Sequence, residues 1–182
     1  MSRDTIDLIT EAFDGHNIKY RMVETETLRF IDAGYNIKGG PTVRFHFLSQ
    51  SESGNDVQIR IAGLMHKVSG EKRAPVLEAC NRVNSEMRFL KFYLDKEGDL
   101  FGQADLPTST AEDCVGENCY ELFFRSMQIL DQCYHYFPEA YYAEPAPDRK
   151  DKLLDTINAL KELSENPLKI NMEDTDQDGK KS

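Results

Sequence analysis

The 182-residue chain carries 32 acidic and 22 basic side chains, for a net charge of −10, with 40% hydrophobic residues and no Trp. That length and apolar fraction suffice for a core without disulfide or metal staples, and they exclude global disorder. No run approaches the ~20 apolar residues of a membrane span, the amino terminus lacks the apolar stretch of a secretory signal, and the net charge argues against wholesale binding to nucleic acid or anionic lipid.

Residues 4–14 read as a short helix, with Ile6, Ile9 and Phe13 on one face, Asp4 as N-cap and Gly15 as terminator. The period then changes to alternation. Ile18, Tyr20 and Met22 alternate with Lys19 and Arg21, Leu28 and Phe30 flank Arg29, and a long connection spans residues 33–41. Val43, Phe45 and Phe47 alternate with Arg44 and His46. After a turn at residues 51–55, Val57, Ile59 and Ile61 alternate with Gln58 and Arg60. Four strands with short turns predict an antiparallel meander with one buried face.

Helical spacing returns over residues 71–87, where Val76, Cys80, Val83 and Met87 form a stripe. Residues 90–94 and 100–106 predict a hairpin, turning through Asp95, Gly98 and Asp99. A helix is expected over residues 118–137, with Phe123, Met127, Leu130, Tyr134 and Phe137 on one face and Pro138 ending it. Pro145 and Pro147 mark a linker, and Leu153, Leu154, Ile157, Leu160 and Leu163 line an amphipathic helix over 148–163. The polar end of the chain is expected to be mobile. The fold class is therefore α+β, an antiparallel sheet of about six strands with helices on one face, plus an appended C-terminal helix. The expected division is a domain over residues 1–143, a linker and helix over 144–165, and an acidic tail over 166–182.

No catalytic or metal motif emerges. Cys114, Cys119, Cys133 and His135 match no zinc template, and Cys80 and Cys133 lie on apolar helical stripes. Asp174, Asp176, Asp178 and Gly179 fit half of a calcium loop, but its twelfth-position Glu is missing. No P-loop, G-x-S-x-G or G-x-G-x-x-G occurs. The expectation is a soluble, cytoplasmic protein that is not an enzyme and uses no cofactor or metal.

The charge is uneven. Residues 57–94 hold three acids and seven bases, for +4, while residues 95–144 hold eleven and two, for −9. If the apolar side of the meander faces the helices, Lys19, Arg21, Arg29, Arg44, His46, Gln58 and Arg60 share the far side, with no carboxylate among them. Phe89, Lys91, Tyr93 and Phe101 extend that side as an aromatic patch, which suggests an interface. Arg21, Arg29, Arg44, His46, Arg60, Phe89, Tyr93 and Phe101 are the candidate partner-binding residues.

Residues 76–137 resemble the YbjN domain family of bacterial sensory transduction regulators. The likeness is carried by the helix Val76-Leu77-Glu78-Ala79-Cys80-Asn81-Arg82-Val83-Asn84, the hairpin from Arg88 to Leu100, the run Ala104-Asp105-Leu106-Pro107 and the following helix. With the preceding meander it covers residues 4–138. The resemblance implies a fold like that of type III secretion chaperones and a non-enzymatic regulator or adaptor linked to stress responses and signal transduction. Asn84, Lys91, Asp95, Gly98 and Asp99 match the family's recurrent positions and read physically as helix–hairpin junction and turn residues. The expected partner is another protein, with homodimerisation. The rival reading is a single-stranded nucleic acid or anionic ligand on the basic and aromatic face.

Overall fold

The computed structural model describes residues 4–26, 28–49, 56–107, 114–144, 156–158 and 160–161. The chain divides into two units, Met1–Ala143 and Glu144–Ser182. In the second, residues 156–158 and 160–161 are helical. The remainder of the expected helix over 148–163, the linker prolines, the half calcium loop and the acidic tail fall outside the described residues. No described helix is long and apolar enough to cross a membrane.

The first unit opens with α1 (Thr5–Gly15), capped by the Asp4 carboxylate, which accepts from the Ile6 amide at 3.0 Å. Strands β1 (Tyr20–Glu24), β2 (Arg29–Asn36), β3 (Thr42–Ser49) and β4 (Asp56–Met65) form the meander. A 3-10 turn leads into α2 (Arg73–Glu86), followed by β5 (Lys91–Leu94) and β6 (Leu100–Pro107). The chain then enters α3 (Val115–Cys133) and α4 (Tyr136–Tyr142). All six strands join in one antiparallel sheet of order β1-β2-β3-β4-β6-β5.

The core lies between the helices and one face of the sheet. Phe13 of α1 meets Phe47 edge-on at 5.0 Å, and Phe123 of α3 meets Phe45 at 4.8 Å. Phe137 of α4 packs on Phe92 of β5 at 5.0 Å. These ring contacts add to area burial and fix how the helices sit on the sheet. Gly116 lets α3 approach α1: a Cβ there would lie 2.3 Å from the Leu8 carbonyl oxygen.

Two elements differ from the sequence reading. The first four residues of the expected connection over 33–41 are strand, because β2 continues to Asn36 and only residues 37–41 turn. Pro138 does not end the last helix. The helix ends at Cys133, two turn residues follow, and Pro138 is the third residue of α4, where a missing N–H leaves no intrahelical bond unmade.

The junction residues brace the edge strand β5. The Asn84 side chain donates to the Phe92 carbonyl at 2.9 Å and accepts from the Phe92 amide at 2.7 Å, as a neighbouring strand would. Lys91 Nζ donates to the carbonyls of Asn84 and Met87 at the end of α2. Asp95 accepts from the Asp99 amide, Asp99 accepts from the Lys67 amide, and Gly98 takes φ +86° against Val68.

Candidate functional site

The strand register assembles a transverse polar row on the sheet face opposite the helices. Arg21 pairs with Asp32, Asp32 with His46, His46 with Arg60, Arg60 with Gln103, and Gln103 with Lys91. Each strand contributes one residue. Period-two alternation aims all six to the same side while Ile31, Phe45, Phe47, Ile59 and Ile61 point into the core.

Asp32 is the most deeply set charge of the row, with only 3% of its surface exposed. Its Oδ2 accepts from Arg21 Nη2 at 2.6 Å. Arg44 engages it with a fork: Nε donates to Oδ1 at 2.7 Å, and Nη2 lies 2.5 Å from Oδ2. Gly34 opposes Arg44 across β2 and β3, and a Cβ there would lie 2.9 Å from Arg44 Nη1. Glycine thus leaves the guanidinium room to reach over to Asp32.

Burial pushes the Asp32 carboxyl up, but the hydrogen bonds from Arg44 and Arg21, with the nearby positive charge, outweigh it and hold the pKa below its ordinary value. The bond to Asp32 raises Arg44 in turn. His46 Nε2 lies 3.6 Å from Asp32 Oδ1, and the ring meets Phe30 edge-on at 5.2 Å. Burial, together with the charges of Arg44, Arg60 and Arg21, pushes the His46 pKa down against the pull of Asp32. His46 is therefore a neutral imidazole near pH 7 in a field of three guanidiniums and one carboxylate.

Beyond His46 the row changes character. The Arg60 guanidinium lies over the Phe101 ring at 3.9 Å, and Tyr93 stacks on Phe101 at 5.8 Å. Arg60 Nε is buried with no hydrogen-bond acceptor among the described residues. Lys91, at the end of the row, is drawn off to the carbonyls of α2.

The structure brings Arg21, Arg44, His46, Arg60, Tyr93 and Phe101 onto this face. Arg29 is elsewhere: it sits on the helix side, where it bridges Asp4 and Asp7 of α1 at 2.9 Å each. Phe89 precedes β5 and is 48% exposed. It lines a cleft of about 560 Å³ with Glu121, Leu122 and Arg125 of α3, and its ring lies 5.3 Å from the Arg125 guanidinium. It is thus separate from the Tyr93–Phe101 stack.

The expected carboxylate-free face is corrected by Asp32. The cause is a one-residue slip in β2: Ile31 and Ala33 face the core, whereas Phe30 and Asp32 face outward. The longer alternation of Ile31, Ala33, Tyr35 and Ile37 could have revealed this, since it outweighs the two-residue pattern of Leu28 and Phe30. Asp105 adds a second outward carboxylate, accepting from Gln103 at 2.9 Å.

Among the described residues no group of three His, Cys, Asp or Glu side chains could hold a metal ion. Cys80, Cys119 and Cys133 are buried thiols, and burial raises their pKa to about 11, 12 and 12 respectively. They are protonated near pH 7 and poor nucleophiles. The outer face presents fixed donors, one braced carboxylate and a cation on an aromatic stack.

A one-sided α+β domain with a six-stranded antiparallel sheet and a polar outer row is the class that fold and site define. The sequence model of the YbjN family, described as "Putative bacterial sensory transduction regulator", matches residues 5–139, and the chain belongs to that family. No curated protein matches it. Among solved structures it is similar to an uncharacterized protein from Methanothermobacter thermautotrophicus. That likeness has 14% identity and a TM-score of 0.41, and it covers 73% of this chain and 99% of the other.

Proposed function

We propose that this chain is a cytoplasmic, non-enzymatic regulatory adaptor that binds a protein partner through the outer face of its sheet, in signal-transduction or stress regulation. Membership of a regulator family supports the regulatory part. The observation that carries the binding part is the Arg60–Phe101–Tyr93 stack beside the Asp32-braced arginines. Arg and Tyr are the side chains that most often dominate protein interfaces, and a guanidinium already held by a ring loses little freedom on binding. A second copy of the chain is one candidate partner.

The same stack would also suit a base of single-stranded nucleic acid. Asp32 weighs against that reading, because it takes up two of the cations a phosphate backbone would need.

The test is affinity purification of the full chain from its own cells, in parallel with Phe101→Ala and Phe124→Ala. Phe124 is an exposed aromatic on α3, away from the sheet's outer face. A protein retained by the wild type and Phe124→Ala, but lost with Phe101→Ala, supports the proposal. Equal retention by all three, or retention of nucleic acid alone, contradicts it.

A further inference from the structure

The cations of the first unit's outer sheet face are not equivalent. Arg21 and Arg44 share Asp32, and Lys91 caps the end of α2. Arg60 makes no ion pair among the described residues. Its position is set by Phe101 at 3.9 Å, and its Nε is buried without an acceptor. A guanidinium shielded on one side by an aromatic ring and lacking a counter-ion attracts an anion more strongly than a solvated one, because less water must be displaced.

The neighbours sharpen this. Gln103, paired with Arg60 across β4 and β6, is neutral and donates its Nε2 to Asp105 at 2.9 Å, so it gives Arg60 no counter-charge. His46, adjacent in the row, is uncharged near pH 7 and has ring nitrogens able to hydrogen-bond. Asp32 already shows, two strands away, how this face receives a carboxylate between guanidiniums.

We propose that Arg60, flanked by His46 and Phe101, is a binding subsite for one carboxylate of an acidic, extended segment of the protein partner, with an apolar side chain two residues away resting on the Phe101–Tyr93 stack. The inference rests on the protein-binding reading above and names what that surface recognises. One uncommitted cation suits a single Asp or Glu. A nucleic-acid backbone needs several in a line, and the chain's −10 charge opposes such a polyanion at longer range. Alternate residues of an extended peptide share one side at ~6.8 Å spacing, so a carboxylate at Arg60 sends the side chain two residues on past the Phe101 ring at 3.9 Å toward Tyr93, which stacks on it at 5.8 Å.

The test uses the full chain, isotope-labelled, with NMR signals of Arg60 Nε–Hε and the His46 ring as reporters. Acetate is titrated against chloride at constant ionic strength. The peptide acetyl-Glu-Ser-Phe-Ser-Glu-amide is compared with its Gln-for-Glu counterpart and with a thymidine pentanucleotide. The expected result is a saturable shift with acetate and not with chloride, and peptide binding at least about tenfold tighter than acetate. The Gln peptide should lose that gain. Arg60→Gln should abolish both responses while the other amide signals stay in place, and Phe101→Leu should weaken the peptide but keep the acetate response.

Absence of a saturable acetate shift overturns the subsite, as does equal binding of the Glu and Gln peptides. Tighter binding of the pentanucleotide reassigns the face to phosphate. A partner retained through Phe101 with Arg60 silent to acetate removes the carboxylate subsite and leaves the adaptor reading standing. An acetate response without any retained partner does the reverse.

Discussion

Asp32 shows how one side chain can set the chemistry of a whole sheet face. It lies second in the row, nearly buried, and spends its lone pairs on Arg21 and Arg44. Asp32→Asn keeps the shape but loses the charge, so at least one charge-assisted bond goes. The expected destabilisation is about 2 kcal/mol in urea unfolding. Arg44→Gln combined with Asp32→Asn should cost clearly less than the sum of the two, because they remove the same contact. Strict additivity would contradict the bracing role.

His46 gives a second residue-scale prediction. Its pKa in the folded protein lies below the ordinary 6.5, so below that value the unfolded chain binds the proton more readily. The stability tied to His46 is present above about pH 6.5 and is lost as pH falls through it toward the depressed folded value. Wild-type urea midpoints should therefore drop more between pH 7.5 and pH 5 than those of His46→Gln. An identical pH dependence would show that the ring is not shielded as described.

At the scale of elements, most of the fold is legible from periodicity. The stripe Ile6, Ile9 and Phe13, the alternations through Val43–Phe47 and Val57–Ile61, and the hairpin turn all appear where spacing puts them. These segments have one buried face, so their pattern is redundant. The inward face of β2 is illegible because its second residue, Phe30, is an outward aromatic. Phe30 packs on His46 rather than in the core, and period two converts that single residue into a complete exchange of faces.

That slip hid Asp32 and Gly34 and misplaced Arg29, which is why the centre of the site was the part least visible in the sequence. Pro138 misled for a different reason: proline stops a helix only from its interior, and here it opens a new one. The row itself depends on register between strands up to 82 residues apart, as between Arg21 and Gln103, and local spacing carries no such information.

Asn84 supplies the prediction at this scale. Its amide occupies the outer edge of β5 at Phe92, where another strand could otherwise pair. Asn84→Ala should cost about 2 kcal/mol and raise self-association in sedimentation velocity. A variant that stays as stable and as monodisperse as the wild type would contradict this account of the edge.

At the scale of the molecule, the −10 net charge is a sum of unlike parts. Among the described residues the helices and the segment 95–105 carry most of the acids, while the outer face holds Arg21, Arg44, Arg60 and Lys91 with the carboxylates of Asp32 and Asp105. Such a surface favours a local acidic contact and disfavours a polyanion. It also separates the roles of the two faces. The inner face makes the core through Phe13, Phe45, Phe47 and Phe123, and the outer face carries donors and rings that the core does not use, which is where the proposed contact lies.

The most direct measurement is site-specific photo-crosslinking in the cell, with a benzoyl-phenylalanine at position 101 or, as control, at position 124. The account predicts a discrete protein adduct from position 101, none from position 124, and loss of the adduct when Arg60→Gln is added. Adducts of equal yield from both positions, or none from position 101, would contradict it.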